Sequence, residues 1–220
     1  MSAPADRPES WPILSHRIAA HGAISDFVED EVRVPDGTTM VRQWVTHPGA
    51  VSIMAVDDHD RVAVVYQYRH PVAMRLLEPP AGILDVVGES ALGAAKRELA
   101  EEAMLGADDW RVLVDFFSSP GGLQESLRVF LARGLHHVGR PDGFLVEAEE
   151  SDMGLQWIAL DELVDLAYAG RVQNPNMVTG TLALALARAQ GRIDSLRPGD
   201  APWPAREQFR VRNRELDARG

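Results

Sequence analysis

The stretch Gly82–Leu105, "GILDVVGESALGAAKRELAEEAML", changes character at Glu89. Before that residue it is a Gly-containing loop. From Glu89 to about Met104, Ala91, Leu92, Ala94, Ala95, Leu99 and Ala103 recur at three- and four-residue spacing, which predicts a helix with one apolar side. Residues three or four apart share a side of a helix, so Glu98, Glu101 and Glu102 gather on adjoining turns. Carboxylates so placed repel one another, and Lys96 and Arg97 offset this only in part. A Glu-rich helix side of this kind is either solvated or a platform for a hard divalent cation, which takes oxygen ligands and completes its shell with water and phosphate.

The residues just upstream separate these readings. "PPAGILDVVGE" places Pro79, Pro80, Ala81 and Gly82 before the helix, then Gly88 and Glu89. Glycines permit a tight loop whose backbone faces a ligand. Glu89 lies eight residues before Arg97, so the pair can clamp loop to helix by a charge-assisted hydrogen bond.

Together these residues resemble the Nudix box: Gly, five residues, Glu, seven residues, then Arg-Glu-aliphatic-any-Glu-Glu-any-Gly-aliphatic. Glu89, Arg97, Glu98, Leu99, Glu101, Glu102 and Leu105 match it. There are two departures. Six residues, not five, separate Gly82 from Glu89, and Met104 stands where the box has glycine. Met in a left-handed cap would cost about 1 kcal/mol, and Gly106 is expected to take over as the helix stop.

The flanks resemble the ADP-ribose pyrophosphatase branch of the Nudix hydrolases. "LEPPAG" is similar to its Glu-x-Pro-Ala-Gly. "VYQYRH" is similar to its strand ending in a substrate-binding arginine, here Arg69. Pro120 in "SSPGG" follows Leu105 by fifteen residues, as in that branch, and "EAEESDM" resembles its acidic loop.

This resemblance implies Mg²⁺-dependent hydrolysis of ADP-ribose to AMP and ribose 5-phosphate, with Mn²⁺ as a substitute. It implies Glu98, Glu102 and Glu101 as metal ligands together with the Ala81 carbonyl. Glu150 would be the base, with Glu149 as runner-up and Glu101 assisting. Arg69, Gly82 and Glu125 would meet the substrate, and Glu89, Arg97 and Pro120 would support the site. The alternatives are a Nudix hydrolase for another nucleotide sugar or a dinucleotide, and a non-catalytic nucleotide-sensing module. The module would be expected to have lost box glutamates, and none is missing.

Further out, "DFVEDEVRV", "TMVRQWVTH", "AVSIMAVDD" and "RVAVVYQYRH" alternate apolar and polar residues between turn signals and read as strands joined by hairpins. "WRVLVDFFSS" and "SLRVFLARGL" also read as strands. "DELVDLAYAG" and "NPNMVTGTLALALARAQG" read as helices, the latter starting at Asn174-Pro175 with Gly191 past its end. The expected fold is an α/β/α Nudix sandwich with a mixed sheet. The expected division is a strand-rich extension over 1–50, a hydrolase domain over 51–195 and a Pro-rich, charged tail over 196–220. The extension's apolar alternation needs a packing partner, and the branch exchanges N-terminal strands, so a homodimer is expected.

Composition bounds the rest. Of 220 residues, 45% are apolar and 25% charged, enough for a real core. The net charge of −11 argues against a nucleic-acid partner, and an anionic small substrate would need a divalent cation's help. No membrane-length apolar run and no secretory leader are seen. Cysteine is absent, which rules out disulfides and thiolate chemistry and fits a cytoplasmic location.

Overall fold

The computed structural model describes residues 4–139 and 154–217. The chain divides into two compact units, one formed by Met1–Pro48, Ser119–Ser126 and Pro202–Gly220, the other by Gly49–Ser118 and Leu127–Ala201.

The first unit holds an antiparallel sheet of β1 (Ile13–His21), β2 (Asp26–Arg33) and β3 (Thr39–Val45), in that order. Val28 and Val32 on β2 are buried, whereas Phe27 on β2 and Val41 on β3 stay exposed.

The second unit contains β4 (Ala50–Ala55), β5 (Arg61–Arg69), β6 (Met74–Glu78), β7 (Ala81–Ile83), α1 (Ala91–Ala103), β8 (Leu105–Phe117), β9 (Ser126–His137, all but its first residue), β10 (Gln156–Ala159), α2 (Leu160–Tyr168), α3 (Pro175–Ala189) and the short β11 (Arg197–Pro198). One sheet runs β11-β8-β9-β4-β7 and a second runs β10-β5-β6. The hairpin that the turn signal after β4 suggests is limited to the antiparallel bridge of Val56 with Val62, and β4 and β5 lie in different sheets. β4 pairs in parallel with β9, Ala50 opposite Leu127 through Ala55 opposite Ala132, and antiparallel with β7.

Side-chain alternation makes this unit a sandwich. On β4 and β9, Val51, Ile53, Phe130 and Ala132 pack with Ala94, Ala95, Leu99 and Ala103 of α1. The alternate residues Met54, Val129 and Leu131 pack with Leu160 and Leu163 of α2 and with Met177 and Leu184 of α3. Because successive strand side chains point to opposite faces, a strand covered by helices on both faces is built almost wholly of apolar or small residues, here with Ser52 as the one polar side chain. "AVSIMA" is therefore buried at every position. This is the α/β/α architecture expected from the sequence.

α1 begins at Ser90, whose Oγ accepts from the Gly93 N–H at 3.0 Å. It does not run on to Gly106. Met104 itself is the left-handed cap, at φ 54° and ψ 37°, and its N–H returns to the Ala100 carbonyl at 3.1 Å. Gly106 instead lies in β8, where an added Cβ would come within 2.5 Å of His136 Nε2. Met104 is 38% exposed, so its side chain contributes little burial. Met104→Gly is expected to raise unfolding stability by about 1 kcal/mol, read as a higher urea midpoint at unchanged slope. A lower midpoint would show that the side chain matters more than the backbone strain.

Returning to the first unit, α4 (Pro204–Asp217) occupies what the sequence offered only as a charged tail. Among the described residues, no helix is long and apolar enough to cross a membrane.

Candidate active site

Packing sets which side of α1 faces outward. With Ala95, Leu99 and Ala103 buried in the core, Glu98 and Glu102 are directed toward β7, and Glu101 meets the Arg97 guanidinium beside them. The Glu102 carboxylate accepts from the Ala81 N–H at 3.0 Å, which ties the last turns of the helix to the Pro-Ala-Gly segment. Ala81 is held from its other side by β4, where it lies opposite Ser52.

Gly82 shows why glycine stands next to Ala81. A Cβ there would fall 2.0 Å from both Cδ and Oε1 of Glu98. The Glu98 carboxyl thus lies directly against the β7 backbone, in space that any side chain at position 82 would fill.

Arg97 organises the acids. Its Nε and Nη2 donate to the two Glu89 oxygens at 3.2 and 3.1 Å, while Nη1 donates to Glu98 at 2.7 Å and to Glu101 at 3.0 Å. The clamp between Glu89 and Arg97 expected from their spacing is therefore present, and it is bidentate. The hydrogen bonds from Arg97 to Glu89, with the negative charge of Glu98 and Glu101, raise the guanidinium above its ordinary range. Burial pushes the Glu98 carboxyl up to about 7; the Arg97 guanidinium opposes the rise, and Glu101 and Glu89 add to it.

These residues suit a divalent cation by the chemistry of their donors. All are hard oxygens, and a cation would keep ionised a Glu98 carboxylate that burial tends to protonate. Among the described residues, no three acidic or histidine side chains converge as ligands of one ion. Arg97 now supplies the counter-charge between Glu98 and Glu101, so a cation would compete with it for the same oxygens.

The substrate-binding candidates fall in different places. Arg69, at the end of β5, donates through Nε and Nη2 to Glu78 at 2.9 and 2.6 Å, a bidentate pair across the β5–β6 hairpin. Glu78 is 2% exposed, a buried carboxylate that fixes the direction of Arg69, and its role was not read from the sequence. The signal was available: Glu78 is the acid of "LEPPAG", at the end of a strand that must return beside the one carrying Arg69. Pro120 and Glu125 lie in the first unit. Pro120 sits in the turn before Leu123, which bridges in parallel to Val45. The Glu125 carboxylate faces His47 Nδ1 at 3.7 Å. Glu149 and Glu150 lie outside the described residues.

Residues 46–179 match the family described as NUDIX domain. The chain belongs to the Nudix family. Among similar proteins, an ADP-ribose pyrophosphatase of Mycobacterium tuberculosis is 45% identical over 182 residues, covering 83% of this Nudix chain and 86% of that one. A methanol dehydrogenase activator of Bacillus methanolicus is 31% identical over 168 residues, covering 76% of this chain and 89% of that one. A crystal structure of an ADP compounds hydrolase superposes with a TM-score of 0.70 at 20% identity, covering 86% of this Nudix chain and all of that one, which supports the fold.

Proposed function

We propose that this Nudix protein hydrolyses the pyrophosphate of ADP-ribose, giving AMP and ribose 5-phosphate. The observation that carries this reading is the intact set of Glu98 and Glu102, held against Gly82 and Ala81, with Glu101 joined to them through Arg97, in a chain 45% identical to an ADP-ribose pyrophosphatase over most of both lengths. A panel of ADP-ribose, other nucleotide sugars and dinucleotides, with products separated by chromatography, tests it. Faster turnover of another member would move the substrate assignment while leaving the reaction class.

Glu98 and Glu102 would hold a divalent cation directly, Glu101 would share it, and the Ala81 carbonyl would complete the protein's contribution. We take the ion to be Mg²⁺, with Mn²⁺ able to replace it. When bound, it would neutralise the diphosphate and polarise a phosphorus–oxygen bond. Arg69, oriented by Glu78, would donate to a diphosphate oxygen. On the resemblance alone, Glu125 would accept from the terminal ribose hydroxyls.

Glu150 is proposed as the base that takes a proton from the attacking water. Glu150→Gln is expected to lower kcat by about 10²–10⁴-fold with KM nearly unchanged, because a base acts mainly in the transition state. If Glu149→Gln shows that loss and Glu150→Gln does not, the assignment shifts by one residue.

We further propose a cytoplasmic homodimer joined through the N-terminal strands. Leu14, Ile18, Phe27 and Val41 leave apolar side chains exposed on β1, β2 and β3, and a small sheet gains stability by covering such residues. Light scattering is expected to give twice the chain mass of 24.2 kDa. A single-chain mass that persists as concentration rises would rule the dimer out. Deletion of residues 1–45 is expected to abolish both dimer and activity.

A further inference from the structure

The loop 119–126 has little regular structure, yet it carries Glu125, and hydrogen bonds from outside it fix its path. Val45 N–H donates to the Gly122 carbonyl at 2.9 Å, and Gln124 N–H donates to the Val45 carbonyl at 3.0 Å, so the loop meets the end of β3 in a single parallel bridge at Leu123. Within the loop, the Gly122 and Leu123 N–H groups both donate to the Ser119 carbonyl, at 3.1 and 2.9 Å.

The remaining restraint comes from α4, far along the chain. The Gln124 amide nitrogen donates to Asn213 Oδ1 at 3.1 Å, and the Asn213 amide nitrogen donates back to Gln124 Oε1 at 2.8 Å. A reciprocated amide pair uses one donor and one acceptor of each partner in a planar arrangement, so it fixes orientation as well as distance. At the other end of α4, Arg206 donates through Nη1 to the Pro48 carbonyl and lies 5.7 Å over the Trp203 ring. α4 is therefore fastened near both ends, at Gln124 and at Pro48, the chain neighbours of Glu125 and of the His47 that Glu125 faces. His47 is held below its ordinary imidazole range mainly by burial, and also by the Arg206 charge, while Glu125 opposes the shift.

We infer that α4 is a clamp on the substrate-recognition loop, with Asn213 as a positioning residue: by holding the Gln124 amide it sets the backbone from which Glu125 projects toward the sugar end of a nucleoside diphosphate sugar. The inference rests on the reading of Glu125 as a sugar contact. It adds that recognition depends on a residue near the end of α4 that itself touches no substrate.

The test uses the full chain with Asn213→Ala, Gln124→Ala and the exchanged pair Gln124→Asn with Asn213→Gln, which preserves the summed side-chain length. Amide hydrogen exchange is measured without substrate. Residues 122–124 are expected to exchange about 10-fold faster in each alanine variant, with β4 and β9 unchanged, and to recover in the exchanged pair. Kinetics are then measured. KM for ADP-ribose is expected to rise about 10-fold in the alanine variants, with kcat within about 2-fold, and to recover in the exchanged pair. Unchanged exchange in the loop overturns the clamp. Faster exchange with unchanged KM, or a fall in kcat without a rise in KM, overturns the positioning role, as does failure of the exchanged pair to restore either quantity. If the unaltered chain does not turn over ADP-ribose, the substrate reading fails separately. Exchange then still decides the clamp, and KM is read on whichever sugar nucleotide is cleaved.

Discussion

Glu102→Gln is expected to slow ADP-ribose hydrolysis by about 10³-fold or more, because electrostatic stabilisation by a cation held at these carboxylates dominates such a reaction. The substitution separates charge from shape. The Gln carbonyl oxygen can still accept from the Ala81 N–H that Glu102 now engages at 3.0 Å, so the link between α1 and β7 survives. What disappears is one anionic oxygen donor. The thermal midpoint is therefore expected to stay within a few degrees while the rate collapses. A rate near that of the unaltered protein would show that Glu102 only fastens the helix.

Gly82→Ala is expected to lower activity by about 100-fold while leaving the fold in place, since misplacing a catalytic group by about 1 Å has that effect. The new Cβ would stand 2.0 Å from the Glu98 carboxyl, well inside contact distance. The atoms it meets are at the free end of a flexible side chain, so the carboxylate moves aside more readily than the backbone does. On the proposed role of Glu98 the damage would fall on cation placement rather than on folding, and higher cation concentration is expected to recover part of the loss. A fully active Gly82→Ala protein would mean that the position of Glu98 against β7 does not matter to the reaction.

Position 82 and position 102 also illustrate what could be read from the sequence. The box declares itself because its spacing follows the helical repeat: Glu98, Glu101 and Glu102 are brought together by α1 alone, and Glu89 by one short loop. The strand at Asp26–Arg33 was equally plain, since its alternation places Val28 and Val32 inside. β1 was not, because irregularities between Ile13 and Ser15 and between Ile18 and Ala20 break the period of two. The parallel pairing of β4 with β9 joins residues more than seventy positions apart, and no local pattern encodes it. Glu78 acquires its meaning only when the β5–β6 hairpin brings it to Arg69. α4 was hidden for a related reason: its sequence is charged on all sides, and the Asn213–Gln124 pair that fastens it spans 89 positions. Met104 is the reverse case. The sequence flagged the strain, but the helix accepts it rather than moving its stop to Gly106.

Hydrolysis of ADP-ribose by this chain, as proposed, would depend on a divalent cation held at the α1 glutamates. Both the hydrolysis and the dependence are tested most directly by incubating the protein with ADP-ribose and Mg²⁺, with and without excess chelator, and separating the products. AMP and ribose 5-phosphate in equal amounts, formed only while free Mg²⁺ remains and restored when it is added back, are the predicted result. Turnover that persists undiminished in excess chelator, or no cleavage of ADP-ribose at any Mg²⁺ or Mn²⁺ concentration, would contradict it.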